Sequence, residues 1–299
     1  MMEHLESNNI LYEMQHGLRS NRSCESQIIS LAHQLAENID NNIQIDLIIM
    51  DFAKAFEKVP HKRLISKLKY YGISDQITIW IASFLANRTQ TVLFENTTSE
   101  KIAVTSCMPE GTVLGPILFL IYINDLPDYI KHSQIKLFAD DSIIYRPIKT
   151  QADCIKLQED HESAVKWEQN WLMAFHPDKC NILRVTTKKS PQHFYYNMHG
   201  HILGSVESAK YLGVTLSADL NWNNHIQQMT SKANQYLSFI RRNLQINSKF
   251  VKDRSYQSLV RPKLEYCCSV WDPYITKNIH KMEQVQRRAA RYACQTPKY

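Results

Sequence analysis

Glycine is scarce in this chain, seven in 299 residues, and neither an internal repeat nor a low-complexity tract is visible. Long apolar runs are missing as well. The longest, Ile117 to Ile123, is far too short to cross a bilayer, so no membrane partner is expected. The opening Met-Met-Glu-His-Leu-Glu-Ser is acidic and polar and does not read as a secretory leader. The seven cysteines form no Cys-x-x-Cys pair, which argues against a zinc ribbon or a disulfide framework and for reduced thiols in an intracellular setting. Cys154, Cys180, His161 and His176 lack zinc spacing and read as structural. A hydrophobic fraction of 44% with 21% charged residues describes an ordinary globular chain with ample material for a core.

Charge is unevenly distributed. From Ile226 onward there are 14 Lys and Arg against four Asp and Glu, whereas the preceding residues hold 21 basic and 25 acidic side chains. A basic C-terminal quarter on a mildly acidic body suits a polyanion, or else is a solvated basic face.

The most informative segment is Phe138-Ala139-Asp140-Asp141. Two adjacent acids lie between Ile135 and Leu137 on one side and Ile143, Ile144 and Tyr145 on the other. A half-buried sheet has no structural use for paired carboxylates, because desolvating an unpaired one is heavily disfavoured. Either the acids sit in solvent at a tight turn or they hold hard cations through oxygen. A second acid, Asp51, ends the similar run Ile45 to Met50. If both strand ends converge, Asp51, Asp140 and Asp141 make a site suited to phosphoryl chemistry.

The pattern along the chain predicts a helical start over residues 1–40 and a strand over 43–50. Helices follow on Leu64, Ile65, Leu68 and Tyr71, capped by Gly72, and on Ile77, Trp80, Ile81 and Phe84. A strand pair, Thr91–Phe94 with Ile102–Thr105, is expected around a polar turn at Asn96–Ser99. Then come an apolar helix from Val113 to Ile123, the Asp-Asp hairpin, and a helix outlined by Ala164, Trp167, Trp171 and Phe175. A strand follows at Ile182 to Val185, and Tyr211-Leu212-Gly213-Val214 starts a short strand unit. The remainder reads as helical, with stripes at Ile226, Met229, Ala233, Tyr236, Leu237 and Ile240 and at Ile279, Met282, Val285 and Ala289, and a break at Pro262.

Four of these segments occur in an order that resembles the reverse transcriptases of non-LTR, jockey-type retrotransposons. Asp51-Phe52-Ala53-Lys54-Ala55-Phe56 resembles the first palm motif; Pro109-Glu110-Gly111 through Gly115-Pro116, continuing to Asn124-Asp125-Leu126-Pro127, resembles the second. Phe138-Ala139-Asp140-Asp141 resembles the third, and Tyr211-Leu212-Gly213-Val214 the unit that grips the primer. Gln15-His16-Gly17-Leu18-Arg19 and Arg261-Pro262-Lys263-Leu264-Glu265-Tyr266 fit the same family. The resemblance implies an α+β, right-hand polymerase with partial fingers (1–42), a palm on an antiparallel sheet carrying the catalytic motifs (43–187), primer-grip strands and linker (188–225) and a basic helical thumb (226–299).

It further implies an RNA template, a DNA primer, deoxynucleoside triphosphates and two Mg²⁺ or Mn²⁺ ions. Asp51 and Asp140, with Asp141 and the Phe52 carbonyl, would be the metal ligands. Phe56 would exclude a 2′-hydroxyl, and Gly111 and Gly115 would admit backbone close to nucleotide and template. Lys179 would serve as general acid near the leaving pyrophosphate. Tyr211, Leu212, Gly213, Arg241 and Arg242 would contact nucleic acid, as would other arginines of the basic tail.

Three departures stand out. Glu110 replaces the family's glutamine in the second motif, and Ser106-Cys107-Met108 precede it in place of the small residues expected there. Glu57 replaces an aspartate. The fingers hairpin and endonuclease normally found upstream are not seen, so the chain reads as an N-terminally truncated piece. The alternative to an active polymerase is a catalytically inactive remnant that at most binds nucleic acid.

Overall fold

The computed structural model describes residues 1–109, 111–244 and 248–294. Backbone contacts group these into two units: residues 1–27 with 38–206, and residues 28–37 with Glu207 onward.

The first unit opens with α1 (Met2–Ser7) and α2 (Cys24–Asp40), whose middle residues count with the second unit. It continues through β1 (Gln44–Met50), α3 (His61–Tyr70) and α4 (Asp75–Leu85). Two small ladders follow: β2 (Thr89–Gln90) pairs with β5 (Ile102–Ala103), and β3 (Leu93–Phe94) with β4 (Thr97–Thr98). The tight turn falls at Glu95-Asn96, one residue earlier than the polar run suggests, because both adopt positive φ, as a two-residue hairpin loop requires. Next come α5 (Leu114–Ile123), β6 (Gln134–Phe138), β7 (Asp141–Ile148), α6 (Gln151–Trp171), β8 (Asn181–Val185), β9 (Asn197–Met198), β10 (His201–Ile202) and β11 (Gly204–Val206).

One five-stranded sheet organises this unit, in the order β11-β8-β1-β7-β6. The central β1 is almost wholly buried, which its Ile-Asp-Leu-Ile-Ile-Met run suits. The expected antiparallel sheet needs one correction. β1, β6, β7 and β8 pair antiparallel, but β11 joins β8 in parallel. Residues 186–203 make the long return that a parallel neighbour requires.

The helix expected around Ala164–Phe175 also differs. α6 spans 21 residues and begins with a capping box, in which the Thr150 and Asp153 side chains bond each other's backbone N–H. It stops at Leu172, which adopts a left-handed conformation, so Phe175 lies beyond it and pairs instead with Phe52.

An ion cage ties α3 to α5 and α6. The Lys67 ammonium lies 2.5 Å from Asp125 Oδ1, donates to the Tyr122 carbonyl, and faces the rings of Trp171, Tyr122 and Trp167 at 3.6, 4.7 and 5.3 Å. Trp167 Nε1 donates to the same Asp125 oxygen at 2.7 Å. Neighbouring Asn124 accepts from the Tyr12 N–H and donates to the Ile10 carbonyl. Asn124-Asp125 therefore braces the helical layer.

The second unit begins with the hairpin β12 (Ser208–Tyr211) and β13 (Val214–Ser217), turned by Leu212 and Gly213 at φ 45° and 86°. Among the described residues five helices follow: α7 (Asn223–Asn243), α8 (Lys249–Leu259), α9 (Arg261–Glu265), α10 (Cys268–Trp271) and α11 (Thr276–Cys294). Pro262 falls in the first turn of α9, just after α8 has ended. On α7, Ile226, Met229, Ala233, Leu237 and Ile240 are buried, whereas Tyr236 is exposed. On α11, Val285 and Ala289 are buried while Ile279 is exposed. Lys281 and Arg288 of α11 bond Gln227 and Asn234 of α7.

Candidate active site

β1 delivers Asp51 and the β6–β7 hairpin delivers Asp140 and Asp141. Register brings them together: the β1–β7 ladder ends with Met50 of β1 facing Ser142 of β7, Asp51 and Asp141 directly continue the two strands, and the Asp51 charge acts on both Asp140 and Asp141. Facing residues of antiparallel strands sit about 4.5–5.5 Å apart and project on the same face. The Phe138–Asp141 pair closes the hairpin, leaving Ala139-Asp140 as a two-residue turn. Asp140 thus sits at the apex, beside the other two.

Asp51 is held from the opposite side. Its carbonyl accepts the His176 N–H at 2.8 Å, and the Ala53 N–H donates to the Ala174 carbonyl at 2.7 Å. These bonds flank the Phe52–Phe175 bridge, whose rings stack at 4.4 Å. Because its neighbours make the bonds of that pair, the alternation of the ladder turns the Phe52 carbonyl toward the β7 edge, where the acids lie. Lys179 Nζ stands 3.3 Å from Asp51 Oδ2. Buried Cys180, which receives the Asp51 N–H on its sulfur, has its thiol pushed up to about 11, first by burial.

The three carboxylates share too little positive charge. Burial, together with the Asp51 charge, raises the Asp140 pKa. Asp141 is pushed up to about 6 by burial and then by Asp140 and Asp51. As the side chains stand, no three His, Cys, Asp or Glu groups among the described residues converge tightly enough to hold an ion. Asp51 instead leans on Lys179. The donor set itself, carboxylate oxygens plus a backbone carbonyl, is the kind that Mg²⁺ takes.

One contributor has no role assignable from sequence alone. Residues 14–17 run beside β6, with backbone bonds from His16 to Leu137 and from Leu137 to Met14. From there the Gln15 Oε1 accepts the Ala139 N–H at 3.0 Å and the Gly17 N–H at 2.8 Å. Ala139 holds φ 51°, a strained value for a residue with a Cβ. Gly17 packs so tightly that a Cβ there would lie 2.3 Å from the Ala139 nitrogen. Gln15 and Gly17 thus form the mould for the turn that carries Asp140. Their signal in the sequence is the Gln-His-Gly spacing, which shows no partner until the chain folds.

Phe56 stacks on Phe119 of α5 at 4.7 Å, partly buried. Gly111 adopts φ 71°, and Thr112 clamps the loop by donating to the Pro109 carbonyl and accepting the Gly115 N–H. Glu110 lies outside the described residues. Tyr211, Leu212, Gly213, Arg241 and Arg242 belong to the second unit. There Tyr211 is buried, Leu212 and Gly213 form the hairpin turn, and the two arginines are exposed in the last turn of α7.

No described helix is long and apolar enough to cross a membrane. The family model for reverse transcriptase (RNA-dependent DNA polymerase) matches residues 1–216. The chain is 27% identical over 97% of its length to a probable RNA-directed DNA polymerase from transposon BS of Drosophila melanogaster, covering 33% of that protein. It is 25% identical over 96% of its length to the RNA-directed DNA polymerase from mobile element jockey of the same organism, covering 32% of it. It therefore spans about a third of these relatives. Its fold resembles that of telomerase from Candida tropicalis, solved with a fragment of telomeric RNA, at TM-score 0.51 and 13% identity, over 94% of this chain and 44% of that one. An α+β chain with paired acids at a hairpin turn of its sheet, matched over most of its length, belongs to the reverse transcriptase family, among the polymerases of non-LTR retrotransposons.

Proposed function

We propose that this chain is an RNA-directed DNA polymerase domain that extends a DNA primer on an RNA template with deoxynucleoside triphosphates. The observation that carries this reading is the end of the β1–β7 ladder, which leaves Asp51 close to Asp141, with Asp140 at the adjoining turn and Lys179 beside Asp51. In this reading the sheet of the first unit is the palm, the helices preceding β1 belong to the fingers, and the helices of the second unit form the thumb.

Members of this family use divalent metal ions, and Asp51, Asp140, Asp141 and the Phe52 carbonyl are the groups that would hold them. Bound there, two such ions would stabilise charge on the attacking and leaving oxygens of an in-line displacement. The protein's own groups do the rest. The primer 3′-hydroxyl passes its proton to solvent water and its oxygen bonds to the α-phosphorus, while the bond from that phosphorus to the bridging oxygen of pyrophosphate breaks. Lys179 Nζ gives a proton to the departing pyrophosphate. Phe56, backed by Phe119, is rigid enough to stand under the sugar and reject a 2′-hydroxyl. Gln15 keeps the Asp140 turn in shape before substrate arrives.

Primer extension on poly(rA)/oligo(dT) with dTTP and Mg²⁺ tests the proposal. Extension that Asp140→Asn abolishes supports it. Template binding without extension, unrelieved by Glu110→Gln, leaves only the inactive remnant.

A further inference from the structure

Glu168 is a buried acid in an unfavourable place. It lies in the last turn of α6, where the helix dipole disfavours negative charge, and it is 5% exposed. Burial raises its pKa, against the opposing pull of His199, the Phe175 N–H and Lys58. A carboxylate so placed needs donors, and one of them belongs to the segment that braces Asp51.

α6 ends as the Met173 N–H bonds the Glu168 carbonyl at 3.0 Å. Just beyond, Ala174 and His176 bond Ala53 and Asp51 on either side of the Phe52–Phe175 pair. In an antiparallel pair flanked by bonds in this way, the central N–H points away from the partner strand. The Phe175 N–H is therefore turned from Phe52, and it donates to the Glu168 carboxylate. Cys180, whose sulfur accepts the Asp51 N–H, feels the charges of both Asp51 and Glu168.

The carboxylate is held in turn by a hairpin. His199-Gly200, at φ 53° and 78°, joins β9 to β10, and His199 Nε2 lies 3.1 Å from Glu168 Oε2. Gln158 of α6 seats this hairpin, donating to the Asn197 carbonyl at 3.1 Å and accepting its N–H at 3.0 Å. On the other arm, His201 Nε2 stands 3.9 Å from Asp178 Oδ1, one residue before Lys179.

We propose that Glu168, clamped by His199, is a positioning residue for Asp51: it takes the Phe175 N–H and so fixes the 174–176 segment whose backbone bonds hold the end of β1. It acts through backbone rather than on substrate. Its consequence for catalysis rests on the polymerase reading of Asp51, whereas the brace itself does not require that the chain polymerise.

The test follows amide hydrogen exchange of the full chain by mass spectrometry, alongside primer extension. Glu168→Ala is expected to speed exchange over residues 51–53 and 174–176 about tenfold, the scale of one lost hydrogen bond, and to leave residues 45–49 unchanged. In extension, kcat should fall about tenfold with KM for dTTP nearly unaltered. Glu168→Gln, which keeps an acceptor for the Phe175 N–H, should restore most of both. His199→Ala should act in the same direction, about threefold, because the carboxylate then loses its clamp. Asp153→Ala, which weakens α6 at its other end, is the control. Unchanged exchange at 51–53 and 174–176 in Glu168→Ala overturns the proposal, as does an equal change in Asp153→Ala or a glutamine no better than alanine. Should Glu168→Ala not fold, unchanged exchange in His199→Ala overturns it instead. A native chain that extends no primer refutes the polymerase reading alone, and the exchange pattern still decides the brace.

Discussion

Two acids on the same strand meet opposite fates. Asp46 sits in the middle of β1, fully buried, and Asp51 one residue past its end. Being five residues apart, they project from opposite faces of the sheet. Gln44 Nε2 and the Tyr196 hydroxyl each donate to Asp46 at 2.8 Å, and Arg184 Nε lies 3.5 Å away. Burial still raises the Asp46 pKa, but these donors and the Arg184 charge oppose the rise from within the fold. Asp51 has one exposed lysine, and two further carboxylates stand beside it. An acid that serves the fold is surrounded by its own donors, whereas acids that serve chemistry are left short of positive charge. The Lys67–Asp125 cage belongs with Asp46, since its ammonium and carboxylate are paired with each other and with donors and acceptors of the fold.

The comparison breaks most visibly if the two kinds of acid behave alike on substitution. Asp140→Asn is expected to lower primer extension by about a thousandfold or more, the scale of losing metal-borne charge stabilisation, without lowering the melting temperature. Measured together, a comparable loss of stability would make Asp140 a structural acid. Asp46→Ala is expected to do the reverse. Leaving Arg184 and Tyr196 buried without their acceptor costs about 3–5 kcal/mol of unfolding free energy in denaturant titrations.

Gln15→Ala sharpens the comparison from a third direction, because it unties the turn without touching a carboxylate. We expect kcat to fall about tenfold with KM for dTTP nearly unchanged, as when one preorganised interaction is lost. A change confined to KM would mean that the turn holds its shape unaided.

Lys67 gives a pH signature. Burial lowers its pKa from 10.5 to about 8, against the pull of Asp125. Between those values the unfolded chain binds more protons than the folded one, so stability rises with pH. The native protein should gain stability relative to Lys67→Met from pH 8 to 10.5, and show no relative change below 8. A flat difference across that window would mean that the cage does not shift the ammonium. The smallest effect is expected at Asp153→Ala, which removes the capping box of α6 and costs about 1 kcal/mol.

Much of this was legible in the chain. The apolar runs ending in Asp51 and flanking Asp140-Asp141 announced three strands, whose acids become neighbours only through the antiparallel pairing of β1 with β7. The apolar helix from Leu114 announced itself by composition. What sequence could not give was long-range. Gln15 acts on a turn more than a hundred residues away, and Lys67 acquires its aromatic cage only when three helices pack. The start of α6 was readable in Thr150-x-x-Asp153, but its polar exposed face hides the helix from a search for apolar stripes. The parallel entry of β11 follows from the path of a loop, which local pattern does not encode.

The most direct measurement is a manganese titration followed by electron paramagnetic resonance, on the native chain and on Asp140→Asn. If Asp51, Asp140 and Asp141 share one under-neutralised centre, the native protein binds two ions, and the single substitution weakens both. Equal binding by the two proteins would contradict the claim that these acids act as one site.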